Sequence, residues 1–288
     1  MKNLENIEFL LDDLSAIVKK DAPHLLRLFE VFAQEARFGR EWLATALMKL
    51  DANAKILEVG AGLMLLSSQL VKEGYEVVAL EPIGDGFSQF AELQKIVLGY
   101  ASMQKVLPTI KSIPIEHLTE TNCYDFAFSI NVMEHIESVE LSICNISNAL
   151  KPAASYQFTC PNYTFPYEPH FNIPTAFSKE LTELIFREKI LNSHRVSDPK
   201  GMWKSLNWIN VFQLKRIIGK KTNISASFDK TMLSSMFVRV VQDKEFALRR
   251  SWWVRELIKA MVMIRMHKIT TLVPATLQPI INCTITKK

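Results

Sequence analysis

Apolar residues recur at helical spacing through the first fifty positions. Leu25, Leu26, Leu28, Phe29, Phe32, Ala33 and Ala36 form one stripe, and Trp42, Leu43, Ala46, Leu47 and Leu50 another. Asp21-Ala22-Pro23 supplies a helix start, because proline is tolerated in the first turn. From Lys55 the texture changes to short apolar runs alternating with helical stretches, the pattern of a parallel sheet with crossovers. The runs predict strands at 55–59, 76–80, 108–112, 124–130 and 155–160, with helices at 63–73, 86–99 and 134–149 between them. Residues 163–174 hold three prolines among aromatics, and so predict a stiff extended segment. Helices at 178–191, 207–218 and 231–268 follow, with strands at 223–228 and 280–285.

Glu58-Val59-Gly60-Ala61-Gly62 closes the first of these strands, and Glu81-Pro82 closes the next. Two glycines without Cβ atoms let a strand-to-helix turn come close to a ligand. An acidic side chain ending the second strand can accept both hydrogen bonds of a ribose diol. A dinucleotide site would prefer G-x-G-x-x-G, with the helix N-terminus open to a pyrophosphate. Here Leu63, Met64 and Leu65 occupy that stretch, which suits an adenosyl ligand lacking phosphates. The turn resembles the first motif of the class I S-adenosylmethionine-dependent methyltransferases, with Met64 at the usual third glycine.

Two further blocks extend the resemblance. Tyr124-Asp125 through Asn131-Val132-Met133-Glu134-His135 reads as a buried strand, a short turn and a helix entered at Glu134-His135. It resembles the fourth-strand motif of small-molecule methyltransferases. In a doubly wound sheet ligands gather at the carboxyl ends of strands, so Ser129, Ile130 and Asn131 are expected to face the pocket. Leu150-Lys151-Pro152-Ala153-Ala154 resembles the family's L-K-P-G-G turn, with alanines at both glycines. The resemblance implies S-adenosyl-L-methionine as cofactor, S-adenosyl-L-homocysteine as product, and a cofactor site of Glu58, Gly60, Ala61, Gly62, Glu81, Pro82, Ser112, Asn131 and Val132. Ser112 stands where the third strand usually ends in an acidic residue near the adenine.

The implied fold is α/β: a Rossmann-like, seven-stranded, mostly parallel sheet with helices on both faces. Residues 1–52 form an N-terminal helical cover, 53–162 the cofactor-binding core, and 163–288 a substrate-capping region that includes the final strands. The last of these, 280–285, is expected as an antiparallel strand slipped into the sheet edge.

Methyl transfer from a sulfonium needs a lined-up acceptor and, for a hydroxyl, somewhere to put its proton. His170, with Glu168 to orient it, is the candidate base, because histidine titrates near neutral pH. His135 is either a second catalytic group or a residue that satisfies the first turn of its helix. Glu134 reads as favouring the positive end of that helix. Tyr163 and Tyr167 are candidate acceptor-binding residues, and no metal site is expected. Cys160 follows Thr159, as the nucleophile does in RNA cytosine-C5 methyltransferases. The Pro-Cys pair those enzymes need is missing, so Cys160 reads as packing. The N/D-P-P-Y/F turn of amino-methylating nucleic-acid enzymes is missing as well, and nucleic acid is not an expected partner.

Composition narrows the class further. The 288 residues are 48% hydrophobic, enough for a sizeable core. Four cysteines without a C-x-x-C pair argue against a zinc site or disulfide framework, and suit a reducing cytoplasm. The N-terminus lacks the pattern of a signal peptide, and no apolar stretch reaches the ~18 residues of a spanning helix. Charge is polarised: residues 1–150 hold 12 Lys/Arg and 21 Asp/Glu, and residues 151–288 hold 22 and 9. From Arg249 onward there are eight basic residues and one acidic residue, Glu256. Trp253, Leu257, Ala260, Met261 and Ile264 line one side of that stretch, with Arg255 and Lys259 roughly opposite. Such a helix either lies on an anionic membrane or packs on protein with its basic stems covering apolar neighbours.

The leading expectation is a methyltransferase acting on a hydroxyl of a small or carrier-linked acceptor, such as a sugar or lipid-linked glycan. The alternatives are methylation of a metabolite carboxylate, amine or carbon, a basic RNA-binding methyltransferase, and a catalytically silent adenosyl-binding or partner-binding fold.

Overall fold

The computed structural model describes residues 6–82, 88–196, 198–242, 247 and 251–288. Positions 86–87, 243–246 and 248–250 of the expected helices, Arg249 and Arg250 among them, lie outside the described residues.

A seven-stranded sheet forms from β1 (Lys55–Val59), β2 (Glu76–Leu80), β3 (Thr109–Lys111), β4 (Tyr124–Ile130), β5 (Leu150–Pro161), β6 (Ile224–Phe228) and β7 (Ile280–Lys287). Its order is β3-β2-β1-β4-β5-β7-β6. β1 pairs in parallel with both β2 and β4, and β2 with β3. The order reverses between β1 and β4, which is where an open α/β sheet leaves a ligand crevice. The last strand is inserted between β5 and β6. Internal packing divides the chain into two units, residues 1–130, 140–156 and 286–288 in one, and 131–139 and 157–285 in the other.

In the first unit, α1 (Ile7–Asp21) is capped by Asn6, whose Oδ1 accepts from the Glu8 N–H. It buries Ile7, Leu10, Leu11, Leu14 and Val18, one face of a helix. A 3-10 turn at Pro23–Leu25 leads into α2 (Leu26–Leu47), which buries Phe29, Ala33, Ala36, Leu43 and Leu47. Both helices join one core with Ile56, Leu70, Val77 and Phe126. Each fully buried leucine there contributes about 1.5–3 kcal/mol. A Cβ at Gly39 would lie 2.6 Å from Ile130 Cδ1 and 2.7 Å from Leu66 Cδ2. Glycine at that point is what allows α2 to sit so close, and Gly39→Ala costs about 1–3 kcal/mol as overpacking. Arg40 Nε and Nη2 donate to Glu73 Oε1 and Oε2 at 2.7 and 2.8 Å, tying α2 to the end of α3 (Leu65–Lys72). Helices α4 (Ser88–Met103) and α5 (Val139–Ala149) complete the crossovers.

Helix α5 begins at Val139, five residues later than expected. Residues 131–138 form an irregular turn instead, because Asn207 satisfies its backbone from outside. Asn207 Nδ2 donates to the Met133 and Ile136 carbonyls at 2.8 and 2.9 Å, and its N–H donates to the Glu134 carbonyl. Glu134 therefore caps no helix.

The second unit contains α6 (Lys179–Leu191), α7 (Pro199–Ser205), α8 (Val211–Gly219), α9 (Met232–Gln242) and α10 (Trp252–Met263). The sequence pattern missed α7, whose start is capped by Asp198 Oδ1. Buried amides hold its irregular backbone. Asn162 Nδ2 donates to the Gln278 carbonyl at 2.7 Å, and Gln278 Nε2 donates to the Thr270 carbonyl at 2.9 Å. Buried backbone acceptors need such partners wherever no ladder supplies them.

Candidate active site

The turn from β1 to α3 holds three residues in the left-handed region: Gly60 at φ 71°, Gly62 at φ 53° and Met64 at φ 62°. Met64 keeps the conformation of the glycine it stands for, at a cost of about 1–2 kcal/mol. Burial of its side chain, together with Leu63 and Leu65, offsets that strain. The same burial puts apolar side chains at the start of α3, where a pyrophosphate would need open backbone N–H groups.

The turn is fixed from both neighbouring strands. The Gly60 and Ala61 N–H groups donate to the Leu80 carbonyl, and the Glu81 N–H donates to the Lys111 carbonyl. The Gly62 N–H donates to Glu81 Oε2 at 2.8 Å, and Gln94 Nε2 donates to the Gly62 carbonyl at 3.0 Å. Gln94, on α4, carried no signal in the sequence. Burial pushes the Glu81 carboxyl up, and the Gly62 N–H opposes that shift. Glu58 accepts from the Ser67 hydroxyl inside the unit. Burial pushes Glu58 up to about 8, with a smaller contribution from the charge of Glu81. Pro82 and Ser112 are exposed after β2 and β3.

These residues fit S-adenosylmethionine. The two glycines leave room for the ligand backbone, Glu81 Oε1 can accept from a ribose hydroxyl while Oε2 holds the turn, and the apolar start of α3 asks for no phosphate.

At the end of β4 the side chains alternate. Ser129 is buried and shares a 2.6 Å hydrogen bond with the Tyr156 hydroxyl, so it faces the core and not a pocket. Asn131 is exposed at φ 54°, its N–H donating to the Thr159 carbonyl, and Val132 is half-buried beside it.

In the second unit the turn after β4 and the loop after β5 bring four titratable side chains together. Glu134 and Glu168 are fully buried. Glu168 Oε1 accepts from His170 Nδ1 at 2.5 Å and from the Tyr163 hydroxyl at 3.3 Å, while Oε2 accepts from the Phe171 N–H at 2.7 Å. The His135 and His170 rings meet edge to face, with centroids 5.4 Å apart. His135 Nδ1 bonds to Ser205 Oγ at 2.9 Å, and its Nε2 lies 4.0 Å from Glu134 Oε1. Burial, then the charge of His170, lowers His135 to about 4 against the opposing pull of Glu168. His135 is therefore neutral at physiological pH.

Aromatic rings wall this cluster. Tyr163 stacks on Trp208 at 5.1 Å, and Trp203 meets Trp208 and Phe171 edge on. Tyr163 is buried, and burial beside Glu168 pushes its hydroxyl up, so it stays a phenol. Tyr167 is exposed, and its hydroxyl donates to Asn172 Oδ1 at 2.7 Å. Ser205, Asn207, Trp203 and Trp208 went unnoticed in the sequence, where nothing links residues 203–208 to residues 131–135. The Cys160 thiol is fully buried, and burial with the charge of Glu134 pushes it well up, so it carries no thiolate for nucleophilic attack.

The uncharacterized protein Rv1509 of Mycobacterium tuberculosis is 45% identical over 290 residues, covering 99% of this chain and 98% of the relative. A ubiquinone biosynthesis O-methyltransferase of Rickettsia conorii is 28% identical over 137 residues, covering 48% of this chain and 42% of that protein. A solved S-adenosylmethionine-dependent methyltransferase from Mesorhizobium loti shares the fold at a TM-score of 0.54 and 11% identity, covering 86% of this chain and 97% of that one. No family model matches the chain. Identity of 45% over nearly the full length of both chains places this protein in one family with Rv1509, and the sheet order and the Mesorhizobium loti structure give it the fold of the class I S-adenosylmethionine-dependent methyltransferases.

Proposed function

We propose that the protein methylates a hydroxyl oxygen of a small or carrier-linked acceptor, such as a sugar or glycan, with His170 as general base. The observation that carries this reading is the hydrogen bond from His170 Nδ1 to the buried Glu168 carboxylate. It fixes the ring and leaves Nε2 as the nitrogen that takes a proton. When bound, S-adenosylmethionine supplies an electrophilic methyl group and leaves as S-adenosylhomocysteine. The hydroxyl proton passes to His170 Nε2 as the new C–O bond forms, and Glu168 stabilises the resulting imidazolium. His135 stays neutral beside it and adds no repelling charge. The O-methyltransferase name of the Rickettsia relative supports an oxygen acceptor.

In this reading Glu58, Gly60, Ala61, Gly62, Glu81, Pro82, Ser112, Asn131 and Val132 hold the cofactor. Residues 1–52 act as cover, 53–162 as cofactor core and 163–288 as acceptor cap, with Tyr163 and Tyr167 on the acceptor side. The basic second half favours an anionic acceptor or carrier. No helix among the described residues is long and apolar enough to cross a membrane. Trp252, Trp253, Leu257, Met263 and Ile264 are nevertheless exposed on and just after α10, beside Arg255, Lys259 and Arg265. We place the protein in the cytoplasm, with α10 as a peripheral contact to anionic lipid. The deciding experiment for the reaction is an acceptor screen with labelled S-adenosylmethionine, followed by His170→Ala on the acceptor found. A variant as active as its parent would remove His170 as the base.

A further inference from the structure

We propose that Glu134, His135 and His170 form a binding site for a first-row divalent cation. The inference stands on the geometry of the second unit, and it competes with the general-base reading for His170 Nε2. One donor atom from each residue lies within 4.8 Å of the other two. Three donors that share an ion at about 2.0–2.2 Å sit about 3.3–3.8 Å from one another, so closure round an ion draws the widest pair in by about 1–1.5 Å.

Both imidazoles are oriented as ligands are. His135 Nδ1 is engaged by Ser205 Oγ and His170 Nδ1 by Glu168 Oε1, so each ring offers Nε2. A carboxylate or hydroxyl on the far nitrogen is the usual device for fixing a metal-binding imidazole. The backbone is set in advance: Asn207 closes the turn that carries Glu134 and His135, and paired hydrogen bonds between Glu168 and Ile173 close the loop that carries His170.

The donor chemistry points the same way. Two fully buried acidic side chains, Glu134 and Glu168, stand beside two imidazoles, so a cation there meets an oxygen donor as well as nitrogens. Two nitrogens and one carboxylate oxygen select zinc, cobalt, manganese or iron over magnesium or calcium, which take oxygen ligands. Ligation and proton uptake at His170 Nε2 exclude each other, so the cation and the general-base reading separate under chelation.

The test uses the full chain without an affinity tag, stripped with EDTA and dialysed. Cobalt(II) is titrated and followed by visible absorption, and zinc(II) is then added as competitor in a calorimeter. We expect one equivalent of cobalt, displaced by zinc. Glu134→Gln and His135→Gln should each weaken binding by 100-fold or more, and Glu168→Gln by 10- to 100-fold through ring orientation alone. Urea midpoints identify any variant that fails to fold, and the remaining variants then carry the test. Absence of a cobalt spectrum at millimolar metal overturns the proposal, as do folded variants that all bind like the parent.

Discussion

The Gly62 N–H donates to Glu81 Oε2 at 2.8 Å, so the carboxylate proposed to hold the ribose also holds the glycine turn in place. Removing it takes away a ligand contact and a brace together. Glu81→Ala should weaken S-adenosylhomocysteine binding by about 1.5–3 kcal/mol, the scale of a charge-assisted hydrogen bond. Gly60→Val should abolish binding, since a branched side chain is strained at φ 71° and would fill space that the proposed site leaves to the ligand. Calorimetry checks both, and NAD in the same competition should bind more weakly than S-adenosylhomocysteine. Parental affinity in both variants would put the cofactor elsewhere.

Acceptor chemistry should fail without cofactor binding failing with it. His170→Ala lowers turnover by roughly 10²–10⁴, the usual loss with a general base, and leaves S-adenosylhomocysteine affinity near the parent's. Glu168→Gln keeps the shape but loses the charge that stabilises the imidazolium, and should shift the pH profile of turnover as well as lower it. An unchanged profile means that Glu168 only packs.

Ala153 and Met64 both carry a side chain in a conformation suited to glycine, in different environments. Ala153 sits at φ 64° and is exposed, so Ala153→Gly should raise stability by about 0.5–1 kcal/mol. Met64 sits at φ 62° but is only 2% exposed. Met64→Gly removes strain and leaves a cavity, and a large buried side chain lost costs about 2–5 kcal/mol. Urea denaturation should therefore show opposite signs for the two variants.

The buried Glu58 carboxyl makes ligand-free stability depend on pH. Its folded value is raised to about 8 from 4.5, so the folded state holds the proton more tightly than the unfolded chain. This contribution is fully present below 4.5 and is lost as pH rises through about 8. Glu58→Gln keeps an acceptor for the Ser67 hydroxyl without a charge to bury. Relative to the parent, the variant should gain stability as pH rises through that window. A difference between parent and variant that stays constant with pH refutes this account.

The α/β class, the strands from β1 to β5 and the glycine turn after β1 were legible in the chain because each depends on local spacing. A buried parallel strand needs a short apolar run, and a tight turn needs glycines at fixed positions, so Ile56-Leu57, Gly60 and Gly62 announce themselves. The helix expected from 134 begins only at Val139, because Asn207, distant in sequence, bonds the backbone of Met133, Glu134 and Ile136 in another way. Gln94 on the cofactor turn and Ser205 on His135 are single long-range hydrogen bonds with no periodic trace. Glu134 read as a helix-end charge, and only folding withdrew it from water beside two imidazoles. Local pattern thus determined most of the elements, though not α7, and where the glycine turn lies. Tertiary structure decided which titratable groups share a low-dielectric space, because that depends on contacts between segments more than thirty residues apart.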